Sequence, residues 1–389
     1  MSLPTVTPDY SGAGFVNLVA SIAQACGAPA RHPTLALLAP DELRTARNLV
    51  FVIVDGLGDN WLRAHGAGSE LERRRRGAIS SVFPSTTASA ITTSYTGYTP
   101  FEHGLTGWYG YFGAAGCVAA TLPFLSRGDE RPLALRGVRP AQVYSAPPLV
   151  DLLAVPSFVV SHRSIIDSEY NRYHCGNARR FAYDTLAELV TQTEAAVKSG
   201  PGRKYVYTYW PDYDRLSHRH GVASRETASA FASFDAAFGR LLARLAGSDT
   251  MVVVTADHGF IDSPPGDLLL LEDAPGLSAM LRFPLCGERR IAYCHVQPGR
   301  TAEFIARARD WLGDRAEVRA SRELVDEGWF GGGTPHPRFA ERIGDVSLVM
   351  RERHTIKDWL PGESRHLHIG NHGGTSMDEM RIPLIVART

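Results

Sequence analysis

The sequence predicts an α/β protein with a mostly parallel central sheet flanked by helices, and two patterns carry that prediction. Short apolar runs bounded by turn residues occur at 49–54, 204–212 and 249–259, and such runs are typical of buried parallel strands. Helical patterns at 184–199 and 225–247 precede the second and third runs. Strands that alternate with helices indicate an α/β fold.

The 389 residues suffice for one large domain with an insertion, or for two domains. After Asp262 the pattern changes to short segments that favour strands and helices in turn. We therefore expect a small α/β cap subdomain at 265–365, inserted into a core formed by residues 1–264 and 366–389.

Composition and charge exclude several classes of protein. Basic and acidic residues balance at 41 each, so we expect no nucleic-acid partner. The beginning of the chain does not resemble a secretory signal, and no apolar run is long enough to span a membrane. Five widely spaced cysteines without a CxxC motif predict free thiols and a cytoplasmic location.

Each of the three apolar runs leads to an aspartate, and in α/β sheets ligands bind beyond the carboxyl ends of the strands. Histidines stand near these aspartates: one follows Asp214 by four residues, on the same face of a helical turn, and another is adjacent to Asp257. A further histidine lies in a glycine-lined turn near the end of the chain. The six candidate metal ligands are Asp55, Asp214, His218, Asp257, His258 and His372.

Carboxylates that cluster in a dry pocket repel one another unless cations neutralise them. Mixed imidazole and carboxylate ligands suit Zn²⁺, Mn²⁺ or Fe better than Ca²⁺ or Mg²⁺. Six ligands suffice for two divalent ions, with zinc as the first expectation. His220 and Asp212 are alternative ligands, but the four-residue spacing favours Asp214 with His218.

In the order of its motifs, the chain resembles the alkaline phosphatase superfamily, and it is most similar to the nucleotide pyrophosphatase/phosphodiesterase branch (type I phosphodiesterases) and its phosphonate-hydrolysing relatives. That branch has an Asp-Gly after the first strand, a threonine nucleophile in a Pro-led segment ending in TGxxPxxHG, a DxxxH pair, an xDHG motif and a late HG. The corresponding stretches here are VDGLG, FPSTTASAITTSYTGYTPFEHG, DRLSH, ADHGF and NHGG.

The resemblance implies an alkaline-phosphatase-like fold and a site for two ions. One ion would be held by Asp214, His218 and His372, and the other by Asp55, Asp257 and His258 together with the nucleophile oxygen. Alignment on the TG and HG dipeptides places the nucleophile at Thr87, with Thr86 as its nearest rival. His103, in the EHG stretch, is interpreted as structural.

Thr87 would stand at the start of a helix, where backbone N–H groups favour a phosphoryl oxygen. A free hydroxyl is a poor nucleophile near neutral pH. Coordination to a divalent ion lowers the pKa of the hydroxyl and makes its oxygen a better nucleophile.

The chain departs from the family at Ala90, where the branch commonly carries an asparagine that contacts a phosphoryl oxygen. A backbone N–H near Ala88, or the side chain of Asn60 or Asn371, is an alternative donor, unless the substrate differs. No arginine matches the one that clamps the phosphate in alkaline phosphatases proper, which favours a diester or phosphonate over a dianionic monoester. Trp108 and Trp210, which flank the motifs, are candidate substrate contacts.

The resemblance therefore implies a metal-dependent hydrolase of phosphodiester or pyrophosphate bonds that acts on a small molecule through a phosphothreonine intermediate. A phosphonate hydrolase or a phosphomonoesterase of the same superfamily is the alternative. A phosphomutase is a further alternative, because phosphomutase relatives also carry an inserted domain. A sulfatase is set aside, because the chain has no C/S-x-P-x-R stretch. The alternative from a different functional class is a catalytically silent binding protein that metal ions stabilise.

Overall fold

The structure is a computed structural model that describes residues 3–29 and 31–389. Strands run through the chain from end to end. In chain order they are β1 (Asn48–Val54), β2 (Arg75–Ser80), β3 (Tyr109–Phe112), β4 (Cys117–Ala120), β5 (Leu125–Ser126), β6 (Ser157–His162), β7 (Arg179–Tyr183), β8 (Lys204–Trp210), β9 (Thr250–Thr255), β10 (Ile261–Asp262), β11 (Leu268–Leu270), β12 (Cys286–Gly287), β13 (Ile291–Cys294), β14 (Ala316–Ala320), β15 (Val346–Met350), β16 (Thr355–Lys357), β17 (Gly370–Asn371) and β18 (Arg381–Arg388).

Helices alternate with these strands. In chain order they are α1 (Phe15–Ala25), α2 (Pro40–Arg44), α3 (Asp59–His65), α4 (Glu70–Arg73), α5 (Thr87–Thr96), α6 (Pro100–His103), α7 (Arg163–Ile166), α8 (Glu169–His174), α9 (Leu186–Val197), α10 (Asp212–His220), α11 (Arg225–Arg244), α12 (Pro275–Ser278), α13 (Thr301–Leu312), α14 (Ser321–Asp326), α15 (Phe339–Ile343) and α16 (Met377–Met380).

The central sheet has seven strands in the order β2-β18-β9-β1-β8-β6-β7. Neighbours from β9 to β7 pair in parallel, and β18 alone is antiparallel to both of its neighbours. The prediction of a mostly parallel sheet flanked by helices is confirmed. The apolar runs at 49–54, 204–212 and 249–259 provide β1, β8 and β9, which lie side by side.

Complete burial of β1 explains why its sequence is a continuous apolar run. All seven of its residues are buried, because helices cover both faces of a parallel sheet. In the pairing register Val54 lies opposite Trp210 of β8, and Ile53 lies opposite Thr255 of β9. The carboxyl ends of the three strands therefore lie at one level, and the residues that follow them are neighbours.

A second sheet, also of seven strands, has the order β14-β15-β13-β12-β3-β4-β5. Four of its strands come from the predicted insertion at 265–365, but β3, β4 and β5 lie between residues 109 and 126. The region 265–365 therefore shares this sheet with residues 109–126, and the division of the chain into a core and an inserted cap subdomain stays a prediction. Gly287 of β12 pairs with Tyr109 of β3, and this contact between distant segments has no local sequence signature.

A buried ion pair joins the second sheet to the end of the core. Arg290 donates from Nε and Nη2 to the two carboxylate oxygens of Glu379, both at 3.1 Å, and the two side chains are 2% and 0% exposed. Glu379 also accepts from the backbone N–H of Gly374 at 2.7 Å and from the hydroxyl of Ser376. The pair thereby fixes the loop that carries His372.

Replacement of Glu379 with glutamine is expected to lower the free energy of unfolding by roughly 3 kcal/mol, because it leaves a buried guanidinium without its counter-charge. Urea unfolding at neutral pH measures this change. Asp326→Asn is the control, since Asp326 pairs with Arg322 on the surface, where both side chains are more than half exposed, and it should cost less than about 1 kcal/mol. Equal effects of the two variants would contradict a structural role for the buried pair.

All five cysteines are free thiols, as expected from their spacing. In the part of the chain that the structure describes, no helix has both the length and the apolar character needed to cross a bilayer.

Candidate metal centre

Three aspartates meet at the carboxyl edge of the central sheet. Asp55 directly follows β1, Asp257 lies two residues beyond β9, and Asp214 lies in the first turn of α10, which begins after β8. Because β8, β1 and β9 are adjacent and parallel, the chain must bring these carboxylates together.

The first group of possible ligand atoms belongs to Asp214, His258 and His372, and these atoms all lie within 4.8 Å of one another. Asp214 Oδ1 is 3.7 Å from His372 Nε2 and 3.9 Å from His258 Nε2. His218 adjoins this group, with Nε2 at 3.5 Å from Asp214 Oδ1 and at 3.2 Å from His372 Nε2. The structure thus brings together the three residues expected at one ion.

The second group belongs to Asp55, Asp257 and His258. His258 Nε2 is 3.4 Å from Asp55 Oδ1 and 3.4 Å from Asp257 Oδ2. The Oγ1 atom of Thr87 lies 3.1 Å from the same ring nitrogen. The two groups share His258, so they are adjacent, and the predicted nucleophile is at the second group.

The three histidines are oriented by one kind of hydrogen bond, from Nδ1 to a backbone carbonyl oxygen. Because a carbonyl oxygen only accepts, Nδ1 carries the proton and Nε2 of the neutral ring keeps its lone pair. This arrangement is typical of metal-binding histidines. The acceptors are Gly370 for His218 at 2.9 Å, Gly259 for His258 at 3.0 Å and Ser85 for His372 at 3.3 Å.

Each of the three carboxylates has a buried oxygen without a hydrogen-bond partner among the described residues: Asp55 Oδ1, Asp214 Oδ1 and Asp257 Oδ2. These are the same oxygens that face the histidine Nε2 atoms. The second oxygens of two of them are held in place, because Tyr209 donates its hydroxyl to Asp55 and the N–H of Gly56 donates to Asp257 Oδ1 at 3.0 Å. Buried anionic oxygens without partners are costly, and they converge here with imidazole lone pairs.

The electrostatics of the cluster also favour cations. Burial raises the pKa of Asp55 and Asp214 well above the usual range, and neighbouring carboxylates raise it further. Burial lowers the pKa of His218 to about 3 and also lowers the pKa of His258 and His372. Neutral imidazoles and carboxylates in need of positive charge form a donor set that fits two divalent ions.

The glycine of the VDG motif is required by the close packing beside Asp55. Gly56 adopts φ +79°, and a Cβ atom at this position would lie 2.4 Å from a ring carbon of Phe260. Both conditions exclude a larger residue at this position. With glycine there, the backbone N–H of Gly56 can approach the Asp257 carboxylate.

Thr87 and Thr86 differ in what their hydroxyl groups contact. Thr87 is the first residue of α5 and is partly exposed, with its hydroxyl beside His258. Thr86 is 1% exposed and donates its hydroxyl to Glu288 Oε1 at 2.5 Å. The geometry therefore favours Thr87 as the group that can meet a substrate.

The alternative ligands named from the sequence lie outside both groups. Asp212 pairs with Arg215, and His220 is not among the residues whose ligand atoms converge. His103 is buried, close to the Thr93 hydroxyl, and accepts from the N–H of Leu105. This environment agrees with the structural interpretation of His103.

A cavity of about 340 Å³ borders the site and is lined by Thr87 and by Asp214, His218 and His372 of the candidate ligands. Its lining combines metal-ligand candidates with aromatic and charged side chains from the second sheet. The lining residues are Thr87, Trp108, Tyr109, Arg127, Asp214, His218, Leu285, Cys286, Gly287, Glu288, Arg289, Ala292, Ile356, Lys357, Asp358, His366, His368, Asn371 and His372.

Two of the four substrate contacts suggested by the sequence, Asn60 and Trp210, lie away from the cavity. Asn60 does not line the cavity, and its amide donates to Asp378 at 2.7 Å. Trp210 is 2% exposed and stacks on Phe234 in the core, with ring centroids 4.7 Å apart. Trp108 does line the cavity.

Ala88 has no exposed side chain, so only its backbone N–H, in the first turn of α5, can serve a substrate. Asn371, the other amide considered, lines the cavity.

Sequence reasoning missed the residues that form the wall of the cavity on the side of the second sheet. Glu288, Arg289 and Lys357 lie in the region predicted as an insertion, and His368 lies just after it. These positions carry no motif. The only signal in the sequence is the histidine-rich stretch RHLHIGNH at 365–372.

Comparisons with known proteins agree with this geometry. A family model described as type I phosphodiesterase / nucleotide pyrophosphatase matches residues 140–375. Phosphopentomutases from Shewanella sp. (strain W3-18-1) and Shewanella baltica (strain OS155) are each 36% identical over 87 residues, which are 22% of this chain and 21% of each relative. The match thus spans about a fifth of the length of these relatives.

Two solved structures are similar over most of the chain. Murine ectonucleotide pyrophosphatase/phosphodiesterase 5 superposes with a TM-score of 0.62 at 17% identity, over 87% of both chains. Phosphonoacetate hydrolase from Sinorhizobium meliloti 1021, in complex with phosphonoacetate, has a TM-score of 0.64 at 19% identity, over 88% of this chain and 90% of the other. At this level of identity the likeness establishes a shared fold.

Proposed function

Because the chain belongs to the type I phosphodiesterase / nucleotide pyrophosphatase family, within the alkaline phosphatase superfamily, we propose that it is a metal-dependent hydrolase of phosphodiester or pyrophosphate bonds with Thr87 as its nucleophile. One observation carries this proposal: three unpartnered carboxylate oxygens and three imidazole Nε2 atoms converge beside the Thr87 hydroxyl.

The residues divide into two ligand sets. Asp214, His218 and His372 would hold one ion, and Asp55, Asp257 and His258 would hold the other together with Thr87. Mixed nitrogen and oxygen donors favour zinc, with manganese or iron as alternatives. Two bound divalent ions would neutralise charge on the phosphoryl oxygens and lower the pKa of oxygen atoms bound to them.

The chain itself orients the reacting groups. Thr87 is the first residue of α5, a helix of ten residues, so the N–H groups of the first turn point towards a phosphoryl oxygen near Oγ1. The backbone N–H of Ala88 is one of these donors. It would serve in place of the asparagine side chain that is missing at Ala90.

The reaction is a double displacement at phosphorus. Thr87 Oγ1 loses its proton and forms a bond to phosphorus while the bond between phosphorus and the leaving oxygen breaks, which produces a phosphothreonine, and the leaving oxygen takes up a proton. Water then loses a proton and attacks phosphorus, the bond to Thr87 Oγ1 breaks, and Thr87 Oγ1 regains a proton. Both steps invert the phosphorus centre in line, so positioning of Thr87 against the substrate is the main contribution of the chain.

A phosphonate hydrolase is the second candidate. The fold is similar to that of a phosphonoacetate hydrolase, and a cavity of about 340 Å³ is at the small end of the range of about 300–1,000 Å³ for ligand pockets. A small phosphonate fits such a cavity better than a dinucleotide.

Turnover of a substrate panel by protein loaded with zinc, manganese or iron tests the proposal. The panel contains bis(4-nitrophenyl) phosphate, 4-nitrophenyl phosphate, a nucleotide pyrophosphate and phosphonoacetate. We expect the diester to be hydrolysed faster than the monoester. A protein that binds two ions yet hydrolyses none of the four would be a silent, metal-stabilised binding protein instead.

A further inference from the structure

Two cationic side chains, Arg289 and Lys357, line the cavity that also contains Thr87 and the metal-ligand candidates. Arg289 lies in the turn between β12 and β13, and Lys357 is the last residue of β16, both outside the motifs shared with the family. The reaction described above assigns no task to either of them.

Arg289 lacks a direct counter-charge. Its Nη2 donates to the carbonyl oxygen of His366 at 3.1 Å, and among the described residues the guanidinium forms no ion pair with a carboxylate. Burial lowers its pKa to about 10. A partly buried guanidinium with unused donors is well suited to a planar or tetrahedral anion, which it binds through two parallel hydrogen bonds.

Lys357 is only weakly neutralised. Its Nζ lies 3.8 Å from Glu363 Oε2, but the same carboxylate already accepts from Nε and Nη2 of Arg127 at 2.8 and 3.1 Å. Burial lowers the pKa of Lys357 to about 8, and its side chain remains 11% exposed towards the cavity.

Arg127 lines the same cavity but differs from Arg289 and Lys357, because carboxylates and a carbonyl oxygen of the protein already occupy its guanidinium. It pairs with Glu363 and with Asp358, the latter at 2.8 Å, and donates to the carbonyl oxygen of Leu285 at 2.9 Å. Its side chain is 1% exposed. The unused positive charge of the cavity wall therefore belongs to Arg289 and Lys357.

Aromatic rings flank these two cations. Lys357 Nζ lies 4.8 Å from the ring centroid of Tyr109 and 5.1 Å from that of Trp359, and the guanidinium of Arg289 lies 5.7 Å from the Trp359 ring. Apolar surroundings lower the local dielectric constant and strengthen the attraction of an incoming anion.

We propose that Arg289 and Lys357 form a subsite for a second anionic group of the substrate, a carboxylate or a phosphate, remote from the reacting phosphorus. This inference rests on the proposed function, because it names the class of substrate: small phosphate esters or phosphonates with an additional anionic end. The cavity volume of about 340 Å³ restricts both anionic groups to one compact molecule.

Calorimetric titration of metal-loaded Thr87→Ala protein tests the subsite without turnover. The probes are phosphonoacetate and its carboxamide, which differ only in the second charge, and methylenediphosphonate, which replaces the carboxylate with a phosphonate group. We expect at least one of the two probes that carry a second anionic group to bind about tenfold more tightly than the carboxamide, as for a charge-assisted hydrogen-bond pair. Whichever is preferred identifies the anionic group.

The same preference should fall to within about twofold in Arg289→Ala and Lys357→Ala, each built on the Thr87→Ala background. Arg322→Ala is the matched control, since Arg322 is 88% exposed and lies outside the cavity, and it should keep the full preference. Equal binding of all three probes, or a preference that survives both substitutions, would overturn the subsite. Loss of phosphodiester turnover in the wild-type protein with the preference intact would refute the proposed function and leave the subsite standing.

Discussion

Thr87→Ala is expected to reduce turnover of bis(4-nitrophenyl) phosphate by at least about a thousandfold while metal content and fold are retained. In the proposed reaction the Thr87 hydroxyl is the attacking group, and alanine has no oxygen that could bond to phosphorus in its place. Thr87 Oγ1 lies 3.1 Å from His258 Nε2, so its removal leaves all six candidate ligands in place. Steady-state kinetics and elemental analysis of the same preparation measure both quantities.

Two further variants separate a nucleophile from a structural hydroxyl. Thr87→Ser keeps the attacking oxygen and should recover a substantial part of the rate. Thr86→Ala loses only the hydrogen bond to Glu288 and should cost less than about tenfold, because the Thr86 hydroxyl is not the attacking group and an intramolecular hydrogen bond contributes about 1 kcal/mol. If Thr87→Ala retained a tenth of the wild-type rate while Thr86→Ala lost activity, the nucleophile would have to be reassigned.

Removal of metal ions is expected to abolish turnover and to lower the melting temperature by about 5 °C, both reversibly. Ions that bind only the native state stabilise it by about 4 kcal/mol at a concentration a thousand times the dissociation constant. In their absence the buried carboxylates of Asp55, Asp214 and Asp257 repel one another. Dialysis against dipicolinate, followed by readdition of zinc, manganese or iron, tests this with differential scanning calorimetry and a turnover assay.

Asp257→Asn is the matched ligand variant for this experiment. It preserves the volume and the hydrogen bond from the Gly56 N–H but removes one charge, so the protein should bind close to one ion instead of two. Asp212→Asn is the control, because Asp212 lies outside both ligand groups and pairs with Arg215. Unchanged activity after dialysis, or equal metal content in the two variants, would contradict a two-ion centre.

The central sheet and the ligand positions could be predicted because their sequence signals are local. A buried strand such as β1 must be a continuous apolar run, and an aspartate that follows it directly must lie at the sheet edge. The four-residue spacing between Asp214 and His218 predicted a shared helical face, and both side chains do lie at the same cluster. Each of these inferences needs only a few neighbouring residues.

The second sheet and the cavity wall could not be predicted, because they depend on contacts between distant segments. β3 pairs with β12, nearly 180 residues later in the chain, and Glu288 and Arg289, which line the cavity, directly follow β12. Trp210 depends on a later segment in the same way: it stands beside a motif, but its side chain stacks on Phe234 of α11 in the core. Neighbours in sequence do not determine which face of a strand is buried by a later helix.

Anomalous X-ray diffraction from crystals of zinc-loaded protein tests the central claim most directly. The account predicts two anomalous peaks, one coordinated by Asp214, His218 and His372, and the other by Asp55, Asp257 and His258 with Thr87 Oγ1 bound. A single peak, or peaks that do not contact Thr87, would contradict it.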